Sequence, residues 1–258
     1  MTDQESTGRK VALVTGGGRG IGRATVLEFA RAGFDVVINY SRSETPAQEV
    51  AGLAEGLGAK AMPVRADVTD DTAVREMAAA VAERFGRLDA LVNNAGMTTD
   101  TPPSDLDGLS MAEWDRIFAV NVRGTFQVTR ACVPLLRDSA PAAVVNLSSV
   151  VGLRPGPQPF PYAASKAAVA NLTRTFAGAL GPEIRVNAVA PGWMEGEWME
   201  HALGDSYDEL MARRAKRTPL RRCVTSDEVG TTIVNLATAN PFVNGETVVI
   251  DGGYTATT

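Results

Sequence analysis

Two periods of hydrophobic and polar positions alternate along this chain. Short apolar, β-branched runs at Val11–Thr15, Asp35–Asn39, Lys60–Arg65, Leu88–Val92, Val144–Leu147, Ile184–Val189 and Thr247–Ile250 have the length and composition of strands. Between them the apolar positions take a helical beat, clearest at Val74, Met77, Ala78, Val81 and Phe85 on one face. Helices are predicted from the glycine turn at 16–22 to about Ala32, from about Glu44 to Leu57, and from Met111 to about Arg137. Two more begin at Tyr162 and at Ser226, and the last runs to Ala239. Gly33 and Gly58 stand where the first two should stop, and Asp227 and Glu228 fall in the first turn of the last.

Three stretches break the beat. A polar loop rich in Thr, Pro and Asp spans Met97–Ser110. Asn121, followed closely by Gly124, interrupts the Met111–Arg137 helix, which suggests a kink or a polar task there, or else a plain surface Asn. Trp193–Arg222 has no regular period and gathers Trp193, Met194, Trp198, Met199, His201 and Leu203. An aromatic, Met-rich insert after a strand's carboxyl end suits a substrate lid, or a small packed helical pair without a ligand.

At 258 residues the chain suits one α/β domain. A net charge of −5 argues against nucleic acid or an anionic membrane surface as partner. No apolar run of about 18 residues offers a membrane span, and the polar N-terminus has no signal-peptide core. Cys132 and Cys223 make no metal or redox spacing, so a reducing cytoplasm is expected. His201 is the only histidine, which excludes most Ser-His-Asp hydrolases and most zinc enzymes.

The candidate chemistry clusters between Val144 and Lys166. Tyr162 and Lys166 are four apart, so they share a helix face. An ammonium beside a phenol lowers the phenol's pKa, and such a phenol can exchange a proton with a carbonyl or alcohol oxygen. Ser148 and Ser149, at the end of the preceding strand, offer a hydroxyl for the same oxygen. The glycines of Gly16-Gly17-Gly18-Arg19-Gly20-Ile21-Gly22, between strand and helix, permit a tight turn and close approach of backbone N–H groups to a pyrophosphate. Their spacing is not the usual G-x-G-x-x-G. Asn39-Tyr40-Ser41-Arg42 ends the second strand without a carboxylate for a ribose, so Arg42 and Arg19 could instead meet a ribose phosphate. Asp67 at the third strand's end is either a ligand contact or the acid of a turn before a helix.

The chain resembles the short-chain dehydrogenase/reductases from end to end, and looks closest to the 3-oxoacyl-carrier-protein reductase type. The resemblance rests on TGGGRGIG at 15–22, DV at 67–68, NNAG at 93–96, the Asn121 helix and NLSS at 146–149. YAASK at 162–166, RVNAVAPG at 185–192 and DGG at 251–253 complete it. It implies a Rossmann-like, doubly wound, mostly parallel seven-stranded sheet in a homotetramer, with a homodimer as the alternative. Arg19 and Arg42, with no carboxylate beside them, favour NADP(H) over NAD(H), and a small carbonyl or secondary alcohol is the expected substrate. In that family the serine stands thirteen residues before the tyrosine, which selects Ser149. Tyr162 is then the acid/base, Lys166 tunes it and holds the nicotinamide ribose, and Asn121 binds a proton-relaying water. The cofactor contacts implied are Gly16, Gly18, Arg19, Gly20, Ile21, Ser41, Arg42, Asp67, Val68, Asn94, Ala95, Gly96, Tyr162, Lys166, Pro191, Gly192 and Met194. Phe160, Trp193, Trp198 and Met199 are expected to wall the substrate pocket.

Three features depart from the family pattern. Gly196 occupies the place of a threonine that usually contacts the nicotinamide amide. Its loss predicts a lid that closes only on ligand, unless a glycine is required there by the backbone. Asp138-Ser139-Ala140-Pro141 and Gly181-Pro182-Glu183 are neutral or acidic where carrier-protein reductases are basic, and the Met97–Ser110 loop is longer. Both favour a free substrate over a carrier-bound one. A carrier-protein reductase, or a cofactor-sensing binding protein on the same fold, is the alternative.

Overall fold

The computed structural model describes residues 8–196, 199–200 and 203–257. Seven strands form one sheet in the order β3-β2-β1-β4-β5-β6-β7. They are β1 Val11–Thr15, β2 Asp35–Tyr40, β3 Ala61–Arg65, β4 Ala90–Asn93, β5 Ala142–Leu147, β6 Ile184–Pro191 and β7 Thr247–Ile250. Every pairing is parallel, so the sheet is wholly rather than mostly parallel. Strand order reverses between β1 and β4, and in such sheets ligands bind at the carboxyl ends of the strands flanking that reversal.

Helices cover both faces because the strands are apolar on both. Ala12 and Val14 of β1 face one core with Val26 and Phe29 of α1 (Gly20–Arg31), Val50 of α2 (Glu44–Gly56) and Ile233 of the helix Ser226–Thr238. Val11 and Leu13 face the other. There they meet Met77 and Val81 of α3 (Asp71–Phe85), Leu136 of α5 (Thr125–Asp138) and Ala177 of α6 (Phe160–Leu180). Burying each such large side chain is worth about 1.5–3 kcal/mol. Gly230 lets the Ser226–Thr238 helix lie against α1: a Cβ there would stand 3.0 Å from the Ala24 carbonyl carbon.

The single helix expected over Met111–Arg137 is three segments. α4 (Met111–Phe118) opens on a Ser110–Glu113 capping box, a π-helical stretch holds Ala119–Gly124, and α5 follows. The extra residue per turn lets Asn121 point into the protein, where it is 1% exposed, so it is no surface Asn. The irregular 193–222 insert contains a helix, α7 (Tyr207–Arg217), and the Ser226–Thr238 helix is α8.

Candidate active site at the carboxyl end of the sheet

β5 delivers the two serines and α6 the tyrosine and lysine, and all four side chains are buried. The serines take different partners. Ser148 Oγ donates to the Lys166 carbonyl at 2.9 Å, tying strand to helix. Ser149 Oγ lies beside the Tyr162 phenol, with which it hydrogen-bonds, and 3.5 Å from the Pro191 carbonyl at the end of β6. Lys166 Nζ donates to the Leu147 carbonyl at 2.7 Å and stands 5.6 Å from the Tyr162 ring centre. The structure thus joins Ser149, Tyr162 and Lys166 and assigns Ser148 to the scaffold.

The expected lowering of the phenol pKa is not what the protein alone produces. Burial pushes Tyr162 up to about 12, only partly opposed by the Ser149 hydrogen bond. Burial likewise pulls Lys166 down to about 8. Desolvation of each charged form outweighs a cation 5.6 Å away from the ring centre.

Asn121 is buried by use. Its Nδ2 donates to the Met97 carbonyl and to Ser165 Oγ, both at 2.9 Å, and its Oδ1 accepts from Met97 N at 2.8 Å. These bonds tie the loop after β4 to α6 and leave Asn121 Oδ1 one further lone pair. Ser165, which in turn donates to the Tyr162 carbonyl at 2.7 Å, carried no signal in the sequence.

The glycine turn forms a lined notch. Gly16 and Gly20 have φ of 63° and 49°, in the left-handed region. A Cβ on Gly22 would fall 2.1 Å from the Gly16 carbonyl oxygen. Arg19 occupies the N-cap of α1 without a side-chain cap, and no acid lies in the first turn, so the helix-start N–H groups are open to an anion. Asn94 is tied to the turn through Thr15 and Gly16, and Ala95 N donates to Thr15 Oγ1. Gly96 keeps space clear: a Cβ there would stand 3.4 Å from Asn121 Oδ1 and 3.6 Å from Lys166 Nζ. A dinucleotide fits this cradle.

At the end of β2, Asn39 is buried and donates to the Ala66 carbonyl, while Ser41 and exposed Arg42 reach the rim. Asp67 accepts from Thr69 N and Oγ1 through Oδ1 and from Ser41 through Oδ2. Those bonds, with Arg42 nearby, hold its carboxyl below the ordinary value. The turn-forming reading of Asp67 is therefore met, and Asp70 is the actual cap of α3. Val68 is buried beneath, where a Cβ on Gly124 would collide with it.

Beyond β6, Pro191 is buried and Gly192 N donates to the Ile250 carbonyl. Met194 pairs with Val224 and packs on the core. Trp193, expected as an open pocket wall, lies beneath the Arg214 guanidinium, 3.5 Å from its ring centre, and edge-on to Tyr254. Phe160 is half exposed at the start of α6 and Met199 is partly buried, while Trp198 and His201 lie outside the described residues. Gly196 has φ of 126° with open space around its Cβ position, so the backbone itself calls for glycine. Among the described residues no metal-ligating cluster occurs, and no helix is long and apolar enough to cross a membrane.

Comparison with known proteins agrees with this arrangement. A family model described as enoyl-(acyl carrier protein) reductase matches residues 16–255. The 3-oxoacyl-(acyl-carrier-protein) reductase FabG of Thermotoga maritima is 39% identical over 246 residues, covering 95% of this chain and 97% of the relative. Among solved structures, levodione reductase superposes with a TM-score of 0.88 at 30% identity, covering 96% of this chain and 98% of that one. A gluconate 5-dehydrogenase from Burkholderia cenocepacia, in complex with NADP and tartrate, gives 0.88 at 34% identity, with 97% of each chain covered. With a wholly parallel sheet, a glycine-lined crevice and buried serine, tyrosine and lysine side chains together at its mouth, this chain belongs to the short-chain dehydrogenase/reductase family.

Proposed function

We propose that this oxidoreductase reduces a free carbonyl compound, or oxidises the matching alcohol, with NADP(H). The observation that carries the reading is the meeting of Ser149, Tyr162 and Lys166 beside the glycine-lined crevice. When bound, the cofactor supplies or accepts the hydride. Tyr162 gives a proton to the substrate oxygen or takes it back, and its burial keeps the proton on until a partner is present. Ser149 holds that same oxygen, and Lys166 places a positive charge near the phenol. Asn121 acts as a positioning residue, fixing the Met97 loop against α6.

The glycines Gly16, Gly18 and Gly20 with Ile21 would hold the pyrophosphate, and Asn94, Ala95, Gly96 and Lys166 the nicotinamide half. Pro191, Gly192 and Met194 would cover it. Arg19 and Arg42, with no carboxylate at the end of β2, favour a 2′-phosphate, hence NADP(H). The NADP-bound gluconate dehydrogenase supports the same choice.

A carrier-bound 3-oxoacyl substrate is the second reading, favoured by the FabG relatives at 35–39% identity. The neutral or acidic stretches at 138–141 and 181–183 oppose it, since a carrier protein is acidic. A homo-oligomer is expected through the outer face of α4–α6, where a groove is lined by Phe118, Val122, Phe126 and Leu172. Its place is a reducing cytoplasm, consistent with buried free Cys132 and Cys223.

The test is Tyr162→Phe with NADPH and a panel of ketones and 3-oxoacyl thioesters. The variant should keep the parent's cofactor dissociation constant and lose turnover. Retained turnover would remove Tyr162 from the chemistry.

A further inference from the structure

Among the described residues, Arg214 of the 193–222 insert has no carboxylate paired with it. Arg214, on α7, is partly buried, and its guanidinium sits over the Trp193 ring with Cζ 3.5 Å from the ring centre. Such stacking places a cation over the negative face of the indole. It leaves the guanidinium edge, with five N–H donors, to find partners elsewhere. Among the described residues it makes one weak hydrogen bond, from Nη1 to Met211 Sδ at 3.6 Å. No carboxylate pairs with it among the described residues. Glu195 acts on Arg222 and Cys223 instead, and Arg222 is already paired with Glu228.

The indole is short of a partner as well. Trp193 Nε1 is buried and makes no hydrogen bond. A buried N–H without an acceptor loses its bond to water and gains none, so an unmatched pair of neighbouring donors is unusual in a folded protein. Trp193 stands two residues beyond Pro191, whose carbonyl lies 3.5 Å from Ser149 Oγ. Two residues span at most about 7 Å. The Trp193 backbone therefore lies at the same end of the sheet as Ser149.

Resting on the carbonyl-reductase reading, we infer that Arg214 and Trp193 Nε1 together bind a carboxylate at the far end of the substrate, making this an oxo-acid or hydroxy-acid enzyme. One guanidinium in a partly buried place balances one negative charge, and a dianionic phosphate would leave a surplus there.

The experiment compares 3-oxobutanoate, 4-oxopentanoate and 5-oxohexanoate with their methyl esters, using NADPH and the parent, Arg214→Ala, Arg214→Lys and Trp193→Phe proteins. At least one acid should exceed its ester in kcat/KM by about tenfold or more. Arg214→Ala should cut that acid-to-ester ratio by about 10- to 100-fold, through KM for the acid. Arg214→Lys should recover part of it, and Trp193→Phe should lower it several-fold. If acid and ester serve the parent equally, or Arg214→Ala depresses both alike while lowering Tm, the pair is only a clamp and the inference fails. Turnover of esters with none of the acids overturns this inference alone. No turnover of any ketone, with either nicotinamide, overturns the carbonyl-reductase reading beneath it too.

Discussion

Ser148 Oγ donates to the carbonyl of Lys166 at 2.9 Å while Ser149 hydrogen-bonds the Tyr162 phenol, so the two adjacent serines at the end of β5 take different partners. Ser149, turned toward Tyr162, is the one left for a substrate oxygen. Ser149→Ala should lower kcat by about 10²–10³, as when one donor to a developing oxyanion is removed. Ser148→Ala should instead cost about 0.5–1.5 kcal/mol of stability for the lost bond. Steady-state kinetics beside urea denaturation separates the two, and a worse kcat for Ser148→Ala would reverse the assignment.

Lys166 should make stability depend on pH in a predictable direction. Burial lowers its pKa from 10.5 to about 8, so between those values the unfolded chain binds more protons than the folded one. Stability from this group therefore rises as pH climbs from about 8 to 10.5. The folded-state pKa of Tyr162 is raised, so the phenol contributes the opposite slope above pH 10. The difference in urea midpoint between the parent and Lys166→Met should thus change in the parent's favour between pH 8 and 10. A pH-independent difference would place the ammonium in a solvated environment.

Gly196→Thr tests whether backbone or side chain explains the missing threonine. At φ of 126°, a β-branched residue is strained by about 1–3 kcal/mol, although its Cβ would meet nothing within 4 Å. The substitution should lower Tm and weaken cofactor binding. A tighter cofactor dissociation constant at unchanged Tm would show instead that a hydroxyl was wanting.

Arg42→Ala and Arg19→Ala should each raise KM for NADPH more than for NADH, by about tenfold for a lost charge-assisted contact. Equal efficiencies with both cofactors in the parent would end the NADP(H) preference.

The strands, the glycine turn and the Tyr162/Lys166 pair were legible from residue order, because period and turn chemistry are local. The seven apolar runs became the seven strands; the first and last coincide, and other ends are displaced by at most two residues where ladder hydrogen bonds continued or stopped. Local pattern could not show the π-helical turn at Ala119–Gly124. Nothing in the residues near Asn121 reveals that Met97 and Ser165, 24 and 44 positions away, will complete its hydrogen bonds. The choice of Ser149 over Ser148 rested on family spacing until the Lys166 carbonyl claimed Ser148. The direction of the Tyr162 and Lys166 shifts depends on how much water the fold removes, which adjacent residues do not determine. The insert after β6 was recognisable only as irregular. That Arg214 would settle on Trp193, 21 positions earlier, was decided by α7 folding back over the end of β6. Sequence sets which groups are present and which neighbours share a face; long-range packing sets which of them lose water, and so which are left to meet a substrate.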